Sequence, residues 1–230
     1  LEAVVQYWPF VIKGLWVTIG LSLSSIGLAV VLGLLGAWAK LSKSRRLQKL
    51  AGLYTTTVRG IPDLVLMLFV FYGGQTLLNE LGEASGLWTY VELSAFTTGV
   101  MAIGFIFGAY MTETFRGAYL MIARGQIEAG IACGMSRWIL FSHIVWPQIV
   151  RYALPSFTNN WLTLLKTTAL VSIIGLEDVV YTAVSAGRAT QEPFAFLLTV
   201  FFIYLGLTAI SDVSLRAVER KYSAGMLKGV

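Results

Sequence analysis

The sequence predicts an all-α membrane protein of five transmembrane helices, and three observations carry the prediction. Hydrophobic residues make up 57% of the 230-residue chain, and its mean hydropathy is +0.74. Charged residues make up only 13%, against about 25% in soluble proteins. So few charges cannot clothe a water-facing surface, so lipid surrounds most of the chain. The apolar residues also gather into five runs, each long enough for a hydrocarbon core of about 30 Å, which takes about 20 helical residues. The length suits one membrane domain over residues 1–230.

The first run, 14–39, carries no charge. Its Ala29, Gly33 and Ala37 recur at four-residue spacing, a seam that lets helix backbones approach closely in lipid. Packing inside the subunit and packing between subunits both remain open for it. Ahead of the run, Tyr7, Trp8 and Phe10 read as an aromatic anchor at the outer interface. The second run, 60–78, has Asp63 near its start, and the third, 93–119, has Glu113 and Arg116 near its end. The fourth, 152–176, contains Lys166, and the fifth is 193–211. The stretch Trp138 to Val150 is apolar but too short to span, and it ends around Pro147 and Arg151. It reads as a helix at the membrane surface or against a partner. The chain begins at Leu1 rather than Met, which leaves residues upstream open, and nothing near Leu1 reads as a basic region followed by a cleavage site.

Lysine and arginine set the orientation. Lys40, Lys43, Arg45, Arg46, Lys49 and Arg59 lie between runs one and two; Arg116, Arg124, Arg137 and Arg151 lie between three and four. The tail adds Arg216, Arg220, Lys221 and Lys228. The opposite connections, 79–92 and 177–192, hold Arg188 alone against Glu80, Glu83, Glu92, Glu177, Asp178 and Glu192. The positive-inside rule puts the N-terminus outside and the C-terminus in the cytoplasm. Glu177 and Asp178 read as solvated loop charges, or as contacts for a receptor or an entering cation.

Several function classes fall away. The net charge of +5 is spread over inter-helix segments, a topogenic pattern and not a nucleic-acid surface. One cysteine, Cys133, and one histidine, His143, rule out an internal disulfide and argue against a metal site. No intramembrane cluster of catalytic side chains is present, and no GxxxxGK[ST] loop. The chain is therefore expected to be no enzyme and to bind no cofactor. Uphill transport would draw on a separate ATPase or, in the alternative reading, on an ion gradient, as in a secondary transporter of small polar solutes. That alternative calls for an internal repeat, and five runs without one count against it.

The segment 120–150 carries the most information. Two short helices are expected to break at Gly134, where glycine frees the backbone for a sharp turn, with Pro147 stopping or kinking the second. Ile127, Ile131 and Met135 form an apolar stripe suited to a partner's groove or to headgroups. Glu128, Ala129 and Gly130, then Gly134, Ile144 and Pro147 resemble the EAA loop of ABC importer permeases, whose pattern is EAA, three residues, G, nine residues, I-x-L-P. Gly130 replaces the second alanine and Trp146 the leucine. Gly130 costs about 1 kcal/mol of helix propensity, so a softer loop is expected.

The resemblance runs along nearly the whole chain. Arg59, Gly60 and Pro62, followed by Phe71, Tyr72 and Gly73, are similar to the RGxP and YYG elements of polar amino-acid permeases. Tyr110, Glu113, Arg116 and Gly117 resemble their YxxExxRG element, and 159–170 their fourth-helix core. The segments 62–67, 112–117 and 176–180 are most similar to the Q-type permease of histidine and lysine/arginine/ornithine transporters, and to opine permeases. The resemblance implies a type I ABC importer permease fold, with Glu128, Ala129, Gly134, Ile144 and Pro147 in a cytoplasmic coupling loop that docks into the ATPase. It also implies an ATPase dimer carrying ATP-Mg, a homologous second permease subunit and a periplasmic amino-acid-binding protein.

The same residues carry a physical argument. A charge inside a span is costly unless paired or set in a cavity. Asn159, Thr163 and Lys166 share one helical face, with Asn160 beside it. That face suits a solute passage, or interhelical polar glue with Lys166 paired to a carboxylate. Arg59, Glu113 and Arg116 read as a structural charge cluster, since Glu113 and Arg116 are spaced to pair. Asp63 is a candidate for meeting a cationic solute, or a favourable charge in the first turn of its helix.

Overall fold

The computed structural model describes residues 2–223; Leu1 and Lys228, both used above, lie outside them. Among the described residues the fold consists of helices with no strand: α1 Glu2–Leu41, α2 Arg45–Gly60, α3 Asp63–Ser85, α4 Ala95–Leu120, α5 Arg124–Ala132, α6 Arg137–Ile174, α7 Val179–Thr190 and α8 Pro193–Ser223. Helices α1, α3, α4 and α8 are each long and apolar enough to cross a membrane. Helices α6 and α7, bent by 52° at their junction, pass the same test only as a pair, and a fifth crossing would be this pair taken as one broken span.

The core is α1 laid against α4, and glycine lets them meet. Ala29 and Ala37 are buried, and a Cβ on Gly33 would stand 3.0 Å from the Met111 carbonyl carbon. The small-residue seam therefore serves packing within this chain. Where lipid offers no hydrophobic drive between helices, close van der Waals contact along such seams holds them together. Helix α1 starts well before residue 14, so the aromatic anchor is its first turns, with Pro9 inside the helix.

Two connections fold further than their composition suggests. The basic stretch after α1 forms α2, and the acidic stretch 177–192 forms α7. Asp178 is fully buried and is no solvated loop charge. Its Oδ1 accepts from the Tyr181 amide at 2.8 Å, capping α7. Thr18 on α1 accepts the neighbouring Val179 amide at 3.1 Å, so α1 supplies what the helix end lacks. Glu177 alone of the two stays exposed.

Trp138 to Val150 also departs from expectation: it is continuous with the fourth run instead of lying apart on the surface. Pro147 does not end the helix. A π turn, Phe141–Val145, precedes it and absorbs the break in the hydrogen-bond ladder. The Gln148 side-chain amide donates to the Ile144 carbonyl at 2.9 Å, satisfying a group in the disturbed turn. The last turns, Thr168–Ile174, tighten to 3₁₀ winding before Gly175.

Candidate coupling loop and solute recess

The loop around Gly134 is a complete helix–turn–helix. Helix α5 ends in a Schellman motif: the Met135 amide donates to Gly130 O at 3.1 Å and the Gly134 amide to Ile131 O at 2.9 Å. Gly134 has φ 78°, the left-handed region where a Cβ is costly. Ser136 then caps α6, its Oγ accepting from the Ile139 amide at 3.4 Å. Gly130 has a packing role that propensity alone misses. It is buried, and a Cβ there would lie 2.5 Å from Leu140 Cδ1 and 3.2 Å from Ile144 Cδ1. The missing methyl group thus brings α5 down onto α6, so the helix propensity lost at Gly130 comes with a closer helix–helix contact.

Ala129, Ile144 and Pro147 come together in the wall of a shallow cavity of about 470 Å³, with Gln126 and Gln148 joined across it at 2.6 Å. Glu128 is exposed on the outer face of α5. The apolar stripe divides: Ile127 packs on the core, while Ile131 and Met135 are exposed. Trp138, at 74% exposure, extends that apolar surface.

A second, polar recess of about 480 Å³ lies where α2, α4 and α6 meet, lined by Arg59, Tyr110, Glu113, Thr114, Ser156, Asn159 and Asn160 among others. Asn160 Nδ2 donates to Thr114 Oγ1 at 3.0 Å, which orients its amide. The Arg59 guanidinium stands 5.4 Å above the Tyr110 ring, a cation–π arrangement. Arg59 therefore shares a wall with Glu113 without being its ion-pair partner. Glu113 pairs with Arg116 at 3.2 Å and with Lys40 of α1, which also donates to Thr55 at 2.6 Å. Lys40 is the member that spacing missed: it comes from another helix, and no local pattern joins it to Glu113.

The predicted stripe is only partly gathered. Thr163 lies outside the recess and spends its hydroxyl proton on Asn159 O at 2.9 Å. Lys166 is exposed on the same face and, among the described residues, pairs with no carboxylate, contrary to the polar-glue expectation. Asp63 sits in the first turn of α3, half-buried and away from the recess wall. Tyr110, Thr114 and Ser156 were not singled out as site residues, because only the crossing of three helices places them beside Asn159.

A polar recess and a motif-bearing helix–turn–helix on one apolar bundle suit a transport subunit, and comparison with known proteins agrees. Residues 29–224 match the family described as binding-protein-dependent transport system inner membrane component. The chain belongs to this family. It is thus a multi-pass inner-membrane component of an ABC importer, a transport subunit and not an enzyme, and such components work with an ATPase and a substrate-binding protein. It is 47% identical over 220 residues to the histidine/lysine/arginine/ornithine transport system permease protein HisQ of Escherichia coli, covering 94% of each chain. It is 40% identical to the octopine transport system permease protein OccQ of Rhizobium meliloti, over 93% of this chain and 90% of that one. A solved amino acid ABC transporter with histidines superposes with a TM-score of 0.81 at 28% identity, covering 96% of this chain and 97% of that chain. The MetNI methionine transporter, at 15% identity and a TM-score of 0.70 over 93% and 96%, shares the fold.

Proposed function

We propose that this permease carries a polar, basic amino acid (histidine, lysine, arginine, ornithine or an opine) inward by alternating access, along the face of α6 that bears Asn159 and Asn160. The observation that carries the reading is the polar recess. Amides, hydroxyls and a guanidinium are grouped in an otherwise apolar bundle, where each unpaired polar group is expensive. Such groups can replace the water that a zwitterion loses. An α-carboxylate takes donors such as the Asn amides, and a side-chain cation takes a carboxylate from a second permease subunit, or from Asp63, which stands off the recess wall, at another point of the passage. The basic and opine solutes in the names of the relatives support the substrate class.

In this reading the N-terminus lies outside and the C-terminus in the cytoplasm. The coupling loop within residues 120–150 docks on an ATPase dimer that holds ATP-Mg. A homologous second permease completes the passage, and a periplasmic binding protein delivers the solute. The exposed Ile131, Met135 and Trp138 support the docking assignment, since they are apolar yet uncovered by this chain.

The test is solute affinity of the purified complex with Asn159→Ala and Asn160→Ala. Removing one hydrogen bond to a charged group costs about 1.5–3 kcal/mol, roughly ten- to a hundredfold in affinity. Unchanged affinity and solute preference in a correctly assembled complex would move the site to the partner subunit.

A further inference from the structure

Among the described residues there is also a cavity larger than the polar recess. It is an apolar groove of about 1030 Å³ between α2, α3 and α4. Leu50, Leu53, Val65, Phe69, Met101 and Phe105 line it, each between 40% and 73% exposed. Its volume slightly exceeds the roughly 300–1,000 Å³ of compact small-molecule pockets, and it is open along one side. Those features suit a chain molecule.

The groove also has a charged end. Along α2, Arg46, Leu50, Leu53 and Thr57 fall on one helical stripe, which puts Arg46 one turn beyond the groove lining. Lys49 stands one turn from Leu53 in the same way, and Lys43 and Arg45 precede them. All four cations are exposed, and among the described residues none is ion-paired. No Asp or Glu occurs in residues 41–60 to neutralise them.

We propose that this groove is a binding site for one anionic phospholipid, with its acyl chains along the Leu50–Phe105 wall and its phosphate headgroup at Arg46 and Lys49. Two features favour lipid over a protein helix. Helices dock in membranes through small residues, and this wall is built of Leu, Val, Phe and Met. The small-residue seam of the chain is already spent on α4. The cationic cluster beside the apolar wall matches a headgroup phosphate, whereas a neutral transmembrane helix would leave it uncompensated. The proposal does not depend on the solute reading, because the groove shares no lining residue with the polar recess.

The experiment uses the assembled complex in mild detergent, with phosphatidylglycerol and phosphatidylcholine of identical acyl chains, and native mass spectrometry to count retained lipid. Phosphatidylglycerol is expected to be retained preferentially. R46Q and K49Q should each lower that preference by about fivefold, the worth of one cation near an anionic headgroup. A photo-crosslinking residue at Leu53 should capture lipid. Equal retention of the two lipids, or an undiminished preference in R46Q/K49Q, overturns the site. Capture of a permease chain at position 53 also overturns it, and makes the groove a subunit interface. Neither substitution touches the core, so assembly, monitored by size exclusion, is expected to be unaffected.

Discussion

Substituting Gly134 in a graded series separates the shape of the coupling loop from its mere presence. Its φ of 78° closes a Schellman turn through two backbone hydrogen bonds. A non-glycine residue in that conformation costs about 1–2 kcal/mol, and asparagine, with its short polar side chain, costs least. A β-branched residue costs most, being a true outlier there. Apart from the chain neighbours, no heavy atom lies within 4 Å of a Cβ built at Gly134, so the penalty comes from the local backbone conformation and not from packing against the rest of the fold. A ~2 kcal/mol strain is roughly a thirtyfold shift against the native turn. The expected order of coupled activity is Gly, then Asn, then Ala, then Val. The assay is ATP hydrolysis by the reconstituted complex, with and without liganded binding protein, beside solute uptake. Valine should lower stimulated hydrolysis and uptake together, while the binding protein keeps its ligand affinity. If the valine variant couples as well as the asparagine variant, the left-handed turn does not transmit force and the docking role fails.

Three further outcomes are expected. Lys40→Met should leave Glu113 with only its exposed Arg116 partner. The side chains are 15% and 24% exposed, so the loss should fall between an exposed pair at up to about 1 kcal/mol and a buried one at about 3–5; thermal unfolding in detergent reads it, and a Lys40→Met/Glu113→Gln double variant should recover part. Gly33→Val should destabilise by about 1–3 kcal/mol through overpacking against the α4 backbone, whereas Gly27→Ala, with open space around it, should leave the melting temperature in place or raise it slightly. With the exposed Cys133 replaced by serine, cysteines at Ser44 and Ser136 should label only after the inner membrane is permeabilised, and one at Ser85 from outside; reversal at any position would refute the topology.

Much of the architecture was legible because lipid makes it local. A run such as 193–211 must be helical, since no water is there to satisfy its backbone, and its length is counted along the chain. The turn at Gly134 was legible for the same reason: a left-handed φ demands glycine wherever the fold places it. The failures were non-local. Asp178 and 177–192 look like a solvated connection, yet Thr18, some 160 residues away, takes up the Val179 amide and lets α7 fold into the core. For Pro147 the sequence leaves a stop and a kink both open, and the π turn ahead of it, which carries the helix past the proline, has no signature in the spacing.

Read alone, the sequence shows that the chain crosses the membrane repeatedly, which connections are basic, and that a motif-bearing turn follows the third apolar run. Those are properties of single segments in a uniform solvent. Only the tertiary structure decided that Ala29, Gly33 and Ala37 pack against α4 of the same chain, that Lys40 and not Arg59 pairs with Glu113, and that Asn159 and Asn160 share a recess with Tyr110 and Thr114. Each of these is a meeting of two or more helices. In lipid such meetings are selected by close packing and polar pairing, because burial alone does not distinguish one apolar face from another.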